Sequence, residues 1–60
     1  MDHLPNDPFM LMSSINMLLR DGEFDTLEDL CAGFDRTTEE VLSILRGLGF
    51  EYDEGLRQFR

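Results

Sequence analysis

From Pro8 to Arg20 the apolar residues Phe9, Leu11, Met12, Ile15, Leu18 and Leu19 fall, at about 100° per residue, on one half of a helical circumference. That spacing predicts an amphipathic first helix over Pro8 to about Arg20. Asp7 is a good N-cap ahead of it, Pro8 suits the first helical position, and Gly22 just past Arg20 and Asp21 suits the stop. Asn16 lies inside the apolar stripe, so its amide needs hydrogen-bond partners. Met10 and Met17 recur on the opposite side, flanked by Ser13, Ser14 and Arg20. Two covers suit such a pair: the C-terminal segment folded back over it, or a contact with another molecule.

A second, shorter helix opens at Thr26, with Asp29 three residues on as an acidic variant of the capping box, runs through Leu27, Leu30 and Cys31, and is expected to end at Gly33. Thr37 and Glu40 repeat the box, and Val41, Leu42, Ile44, Leu45 and Leu48 make an apolar arc closed by Gly49. The connection Gly33-Phe34-Asp35-Arg36 has the length of a helix-turn-helix turn, with Phe34 expected in the corner. After Gly49 the period changes to alternation. Pairing Phe50 with Phe59 and Tyr52 with Arg57 around Glu54-Gly55 predicts a hairpin with its three aromatics on one face. Such a hairpin is hardly stable alone and has to lie on the helices. The expected architecture is mainly α: a three-helix, helix-turn-helix-like domain with a short C-terminal β-hairpin in the place of a wing. Residues 1–6, interrupted by Pro5, read as an extended N-terminal arm, and residues 7–60 as a single small domain.

Charge changes the picture that this pattern suggests. Thirteen Asp and Glu oppose five Arg and no Lys, a formal net charge of −8. Duplex binding draws its affinity from cations that neutralise phosphates, and this chain adds long-range repulsion instead. The exposed side of the third helix would present Glu39, Glu40, Ser43 and Gly47 beside a lone Arg46. A chain of 60 residues buries only about 60% of the surface its unfolded form exposes, so a partner is a common source of added stability. Cys31 is the one cysteine, which excludes an intrachain disulfide. The residues after Met1 do not form a secretory leader, and no apolar run approaches the roughly 20 residues of a membrane span. The expected compartment is the cytoplasm.

Candidate chemistry is sparse. Asp21, Glu23 and Asp25 have the odd-numbered spacing of a calcium loop, but Thr26 stands where that loop needs Gly and Ala32 where it needs Glu. Cys31 lacks a sequence-adjacent base, the single His is His3 in the arm, and no set of ligands converges for a catalytic metal. No enzyme, cofactor or metal is expected.

The ordered string Asp7-Pro8-Phe9-Met10-Leu11, Asn16-Met17, Leu19-Arg20-Asp21, Leu27 to Cys31, Gly49-Phe50-Glu51-Tyr52-Asp53 and Gln58-Phe59 resembles a small bacterial family, the domain of unknown function numbered four-two-five-zero. The likeness spans Leu4 to Phe59. Leu18 and Arg57 depart from the family pattern, which has Lys and Asn there. The resemblance implies a bacterial, cytoplasmic protein without an assigned activity, in which Asp7, Asn16, Arg20, Asp21, Cys31 and Tyr52 are the polar or reactive positions that match. Each has a structural explanation: capping for Asp7, a buried backbone partner for Asn16, helix closure for Arg20 and Asp21, core packing for Cys31, hairpin packing for Tyr52.

Two functions remain. The leading expectation is a protein–protein interaction module, its surface formed by Met10, Ser13, Met17 and Arg20 and its partner another protein or a second copy in a weak homodimer through the first helix. The alternative is a weak nucleic-acid-binding regulator, which requires Arg36, Arg46, Arg57 and Arg60 to cluster around the third helix and the hairpin.

Overall fold

Every helix of this protein starts where a side-chain oxygen meets the unpaired N–H groups of the first turn. The computed structural model describes residues 3–60. Asp7 accepts from the N–H groups of Phe9 and Met10 at the head of α1 (Pro8–Arg20), Thr26 from Asp29 at α2 (Leu27–Gly33), and Thr37 from Glu40 at α3 (Thr38–Arg46). Two short strands follow, β1 (Tyr52–Asp53) and β2 (Gln58–Phe59), paired antiparallel. Three helices and a C-terminal hairpin therefore stand in the expected order.

The three helices also end alike. In each, one N–H reaches back five residues and the N–H before it reaches back three: Glu23 to Leu18 with Gly22 to Leu19, Arg36 to Cys31 with Asp35 to Ala32, Phe50 to Leu45 with Gly49 to Arg46. These are Schellman closures, which need a left-handed residue. Gly22 (φ 79°) and Gly49 (φ 91°) supply it for α1 and α3, as expected. For α2 it is Asp35 (φ 58°), not Gly33, which is the last helical residue. Gly33 has a different use: a Cβ there would stand 2.8 Å from the ring of Phe24, which packs against Phe34 at 5.9 Å between centroids.

The core takes Leu11, Ile15 and Leu19 from α1, Leu27, Leu30 and Cys31 from α2, Val41 and Leu45 from α3, and Phe59 from β2. Leu4, ahead of the first helix, is 1% exposed and joins them. Residues 3–7 contain no helix or strand, and residues 1 and 2 of the expected arm lie outside the described residues. Two residues assigned to the apolar faces are exposed instead. Phe9, 58% exposed, lies about 120° around the helix from the centre of the buried face and meets Phe50 edge-on at 6.0 Å. Leu48 falls in the turn where the chain leaves α3.

The hairpin register differs from the expected one by two residues. Tyr52 pairs with Phe59 and Asp53 with Gln58, and Glu51 and Arg60 exchange two backbone hydrogen bonds. The loop is thus four residues, 54–57, instead of two. Glu54-Gly55 is not a left-handed pair; Arg57 (φ 52°) takes that conformation, and Asp53 Oδ1 accepts from the Leu56 N–H inside the loop. A shift of two keeps side chains on the same face, so Tyr52 and Phe59 still pack together at 5.1 Å. Asn16 holds this face to α1: its Nδ2 donates to the Phe59 carbonyl and its Oδ1 accepts from the Phe59 N–H.

Candidate functional site

On α1, the buried residues Leu11, Ile15 and Leu19 set the inner face, so Met10, Ser13, Met17 and Arg20 must stand on the outer one. All four are exposed, Met10 by 60% and Met17 by 41%. The C-terminal segment does return to α1, but along the flank carrying Asn16 and Phe9, and it leaves Met10 open. Its tip reaches the C-terminal half of the helix. There Ser13, Met17 and Arg20 form one wall of a groove of about 440 Å³, and Leu56, Arg57 and Gln58 form the other. Leu56 is 58% exposed beside Met17. The hydrophobic pair of this groove is thus Met17 with Leu56, and Met10 is not part of its walls.

Neither wall of this groove carries an Asp or Glu. Arg20 touches Asp21 only loosely, at 3.6 Å with both side chains in water, a pair of little energetic weight. Arg57 donates from Nη1 to the Asp25 carbonyl at 3.4 Å. Among the described residues no carboxylate forms an ion pair with Arg57.

The four arginines that a nucleic-acid surface requires do not assemble into one patch. Arg36 is tied to Glu40 one turn away on α3. Arg60 pairs with Asp53 at 3.2 Å. Arg57 stands at the hairpin tip. Arg46 and Arg60 do share a groove, of about 700 Å³, but Glu51, Asp53 and Glu54 line it with them. The exposed side of α3 carries Glu39, Glu40, Ser43 and Arg46.

Titratable groups add little chemistry. Burial pushes the Cys31 thiol up, against a weaker downward pull from its hydrogen bond with Thr38, so this free cysteine is a core residue and a poor thiolate. Tyr52 is also raised, first by burial and then by the charge of Glu28. Asp53 is lowered, first by the Leu56 N–H it accepts and then by Arg60. Among the described residues no group of three His, Cys, Asp or Glu is arranged to hold a metal, and no helix is long and apolar enough to cross a membrane.

Leu56 and Gln58 are groove residues that the sequence did not single out, and Arg57, expected only as a nucleic-acid contact, joins them. They read as turn and strand, and the four-residue loop places them across the groove from Met17. A family model described as Domain of unknown function (DUF4250) matches residues 5–59. No curated protein and no solved structure matches the chain.

Proposed function

Because the chain belongs to the family of the domain of unknown function DUF4250, membership brings no activity with it, and we propose from its surface that it is a non-catalytic protein–protein interaction module acting in the cytoplasm. The observation that carries this reading is the outer face of α1, where Met10 and Met17 stand exposed with no part of the described chain covering Met10. Methionines adapt their shape to a partner at small cost, so exposed methionines on the outer face of a short helix suit such a contact. A core of this size also gains from association, since a partner that binds only the folded state stabilises it by mass action.

A second reading, weak nucleic-acid binding, rests on Arg46 and Arg60 sharing one groove. Three carboxylates line that groove with them, and a net charge of −8 opposes approach to phosphate.

The test compares the wild type with a Met10→Glu, Met17→Glu variant as bait in lysate of the host cell, each split into nuclease-treated and untreated halves. The interaction reading expects protein recovery that survives nuclease and is lost with the variant, or a concentration-dependent sedimentation coefficient lost in the same way. Recovery abolished by nuclease and unaffected by the methionine changes reverses the ranking of the two readings.

A further inference from the structure

Arginines are scarce on this protein, and two of the five line one groove whose walls hold no Asp or Glu, Arg20 keeping only its loose, solvent-exposed pair with Asp21 outside it. The groove between α1 and the hairpin tip joins Arg20 and Arg57 to the exposed apolar pair Met17 and Leu56. Two other grooves contain arginine, and both contain carboxylates. Arg46 and Arg60 share theirs with Glu51, Asp53 and Glu54, and the groove on the far side of Arg57 is lined by Asp25, Glu28 and Glu54. In a chain with 13 carboxylates, an arginine groove without one is the exception that a partner can read.

We infer that this groove binds a short acidic peptide segment with one apolar anchor, Met17 and Leu56 taking the anchor while Arg20 and Arg57 take flanking carboxylates. The inference rests on the interaction-module reading and names its partner. Guanidinium groups match carboxylates in geometry as well as charge, and a groove of about 440 Å³ accommodates a few side chains. Polar groups fit an extended backbone in the same place: Ser13 and Gln58 stand on opposite walls. Arg57 adopts φ 52°, a conformation that favours glycine, so the chain carries a cation at the tip where another residue would be less strained.

Charge selects among occupants. A second copy docked through the same patch by two-fold symmetry would set Arg20 and Arg57 against their own equivalents. A nucleic acid would also supply anions, but its run of phosphates extends past two arginines into a surface of net charge −8. A short segment with two or three carboxylates around a Leu or Phe feels the same net charge, but it ends within the groove, where its acids meet Arg20 and Arg57 and salt screens the more distant carboxylates.

The test is fluorescence anisotropy on the full chain with a fluorescein-labelled peptide holding a central Leu flanked by Asp and Glu. Controls are the same peptide with Leu replaced by Ser, the same peptide with its acids replaced by Lys, and a short oligothymidine. Saturable, salt-sensitive binding of the first peptide is expected, weakened about tenfold by Arg20→Gln with Arg57→Gln and about as much by Met17→Ser. Arg46→Gln leaves it unchanged, and circular dichroism checks that each variant is folded. Equal binding of the lysine peptide, tighter binding of oligothymidine, or indifference to the double arginine variant overturns the inference. If no peptide binds while Met10→Glu with Met17→Glu abolishes a dimer seen by sedimentation, the acidic-segment inference is wrong and the interaction reading stands. If peptide binding, self-association and nuclease-resistant recovery of a protein from lysate are all absent, both fall.

Discussion

The side-chain amide of Asn16 makes two hydrogen bonds to the backbone of Phe59, accepting from its N–H at 2.7 Å and donating to its carbonyl at 3.2 Å. One helical side chain thereby completes the hydrogen bonding of the last core residue and fixes the hairpin against α1. Without it, two backbone groups beside a residue only 3% exposed have no partner. Leaving each unsatisfied costs about 1–3 kcal/mol, and a chain of this length holds roughly 3–9 kcal/mol in total. Asn16→Ala is therefore expected to lower stability by about 2–4 kcal/mol in urea unfolding, with loss of the Tyr52–Phe59 ring contact by NMR. Asn16→Asp keeps the acceptor but turns a carboxylate oxygen toward the Phe59 carbonyl. Its loss relative to wild type should shrink as pH falls and the carboxyl regains a proton to donate. A variant as stable as wild type at neutral pH would show that the clamp carries no weight.

Asp53 organises the other end of the hairpin. Its carboxylate accepts from the Leu56 N–H and pairs with Arg60, and these contacts hold its pKa below the ordinary Asp value. A lowered folded-state pKa contributes stability that is complete above the unfolded value of about 3.9 and lost as pH falls through the folded value. The hairpin tip should thus loosen only below about pH 4. The Leu56 amide and the rings of Tyr52 and Phe59 report this by NMR chemical shift. Asp53→Asn retains an acceptor for Leu56 but removes the titration, so its hairpin shifts should stay flat over the same interval. A wild-type transition near neutral pH would contradict the assignment.

Asp35 ends α2 in a left-handed conformation that costs a side chain about 1 kcal/mol and glycine nearly nothing. Its side chain is exposed. Asp35→Gly is expected to stabilise the protein by about 0.5–1 kcal/mol after the added entropy of the unfolded chain is counted. That corresponds to a Tm rise of a few degrees. Gly22→Ala and Gly49→Ala, at the equivalent closures of α1 and α3, should each lower the Tm. If Asp35→Gly also lowers it, the Asp35 carboxylate supports the turn in some way that backbone strain does not capture.

What periodicity and capping chemistry made legible is local. Asp7, Thr26 and Thr37 act within their own first turns, and Gly22 and Gly49 close helices as glycine normally does. Asn16 was legible as a polar residue in need of partners, though not that Phe59 is the partner. Gly33 ends α2 where the sequence places its stop, but the left-handed residues that close this helix and the hairpin loop are Asp35 and Arg57, which no glycine marks. At Gly33 the reason for glycine is the Phe24 ring, a contact from another part of the chain. The hairpin register differs because the pattern places a two-residue turn at Glu54-Gly55, whereas the loop has four residues and turns at the left-handed Arg57. The groove itself is a long-range product of that register, with Leu56 and Arg57 of the four-residue loop lining it together with Met17 and Arg20. Leu4 was hidden by its polar neighbours, His3 and Asn6, which dilute any apolar signal.

Arg57 separates stability from recognition in a single substitution. As the left-handed residue of the hairpin loop it carries the same kind of strain as Asp35. Its guanidinium makes one long hydrogen bond, to the Asp25 carbonyl, in an exposed position. Arg57→Gly removes the strain and a cation together. The expected result is a fold at least as stable as wild type, by up to about 1 kcal/mol, that binds the acidic peptide several-fold more weakly. Function held at a local cost in stability is a common arrangement at binding sites. Arg57→Lys sharpens the comparison. It keeps the charge and the strain but loses the planar fork that engages a carboxylate through two donors, so its affinity should fall between wild type and Arg57→Gly without any gain in Tm. Should Arg57→Gly lower the Tm and leave the affinity unchanged, the arginine serves the hairpin loop and takes no part in recognition.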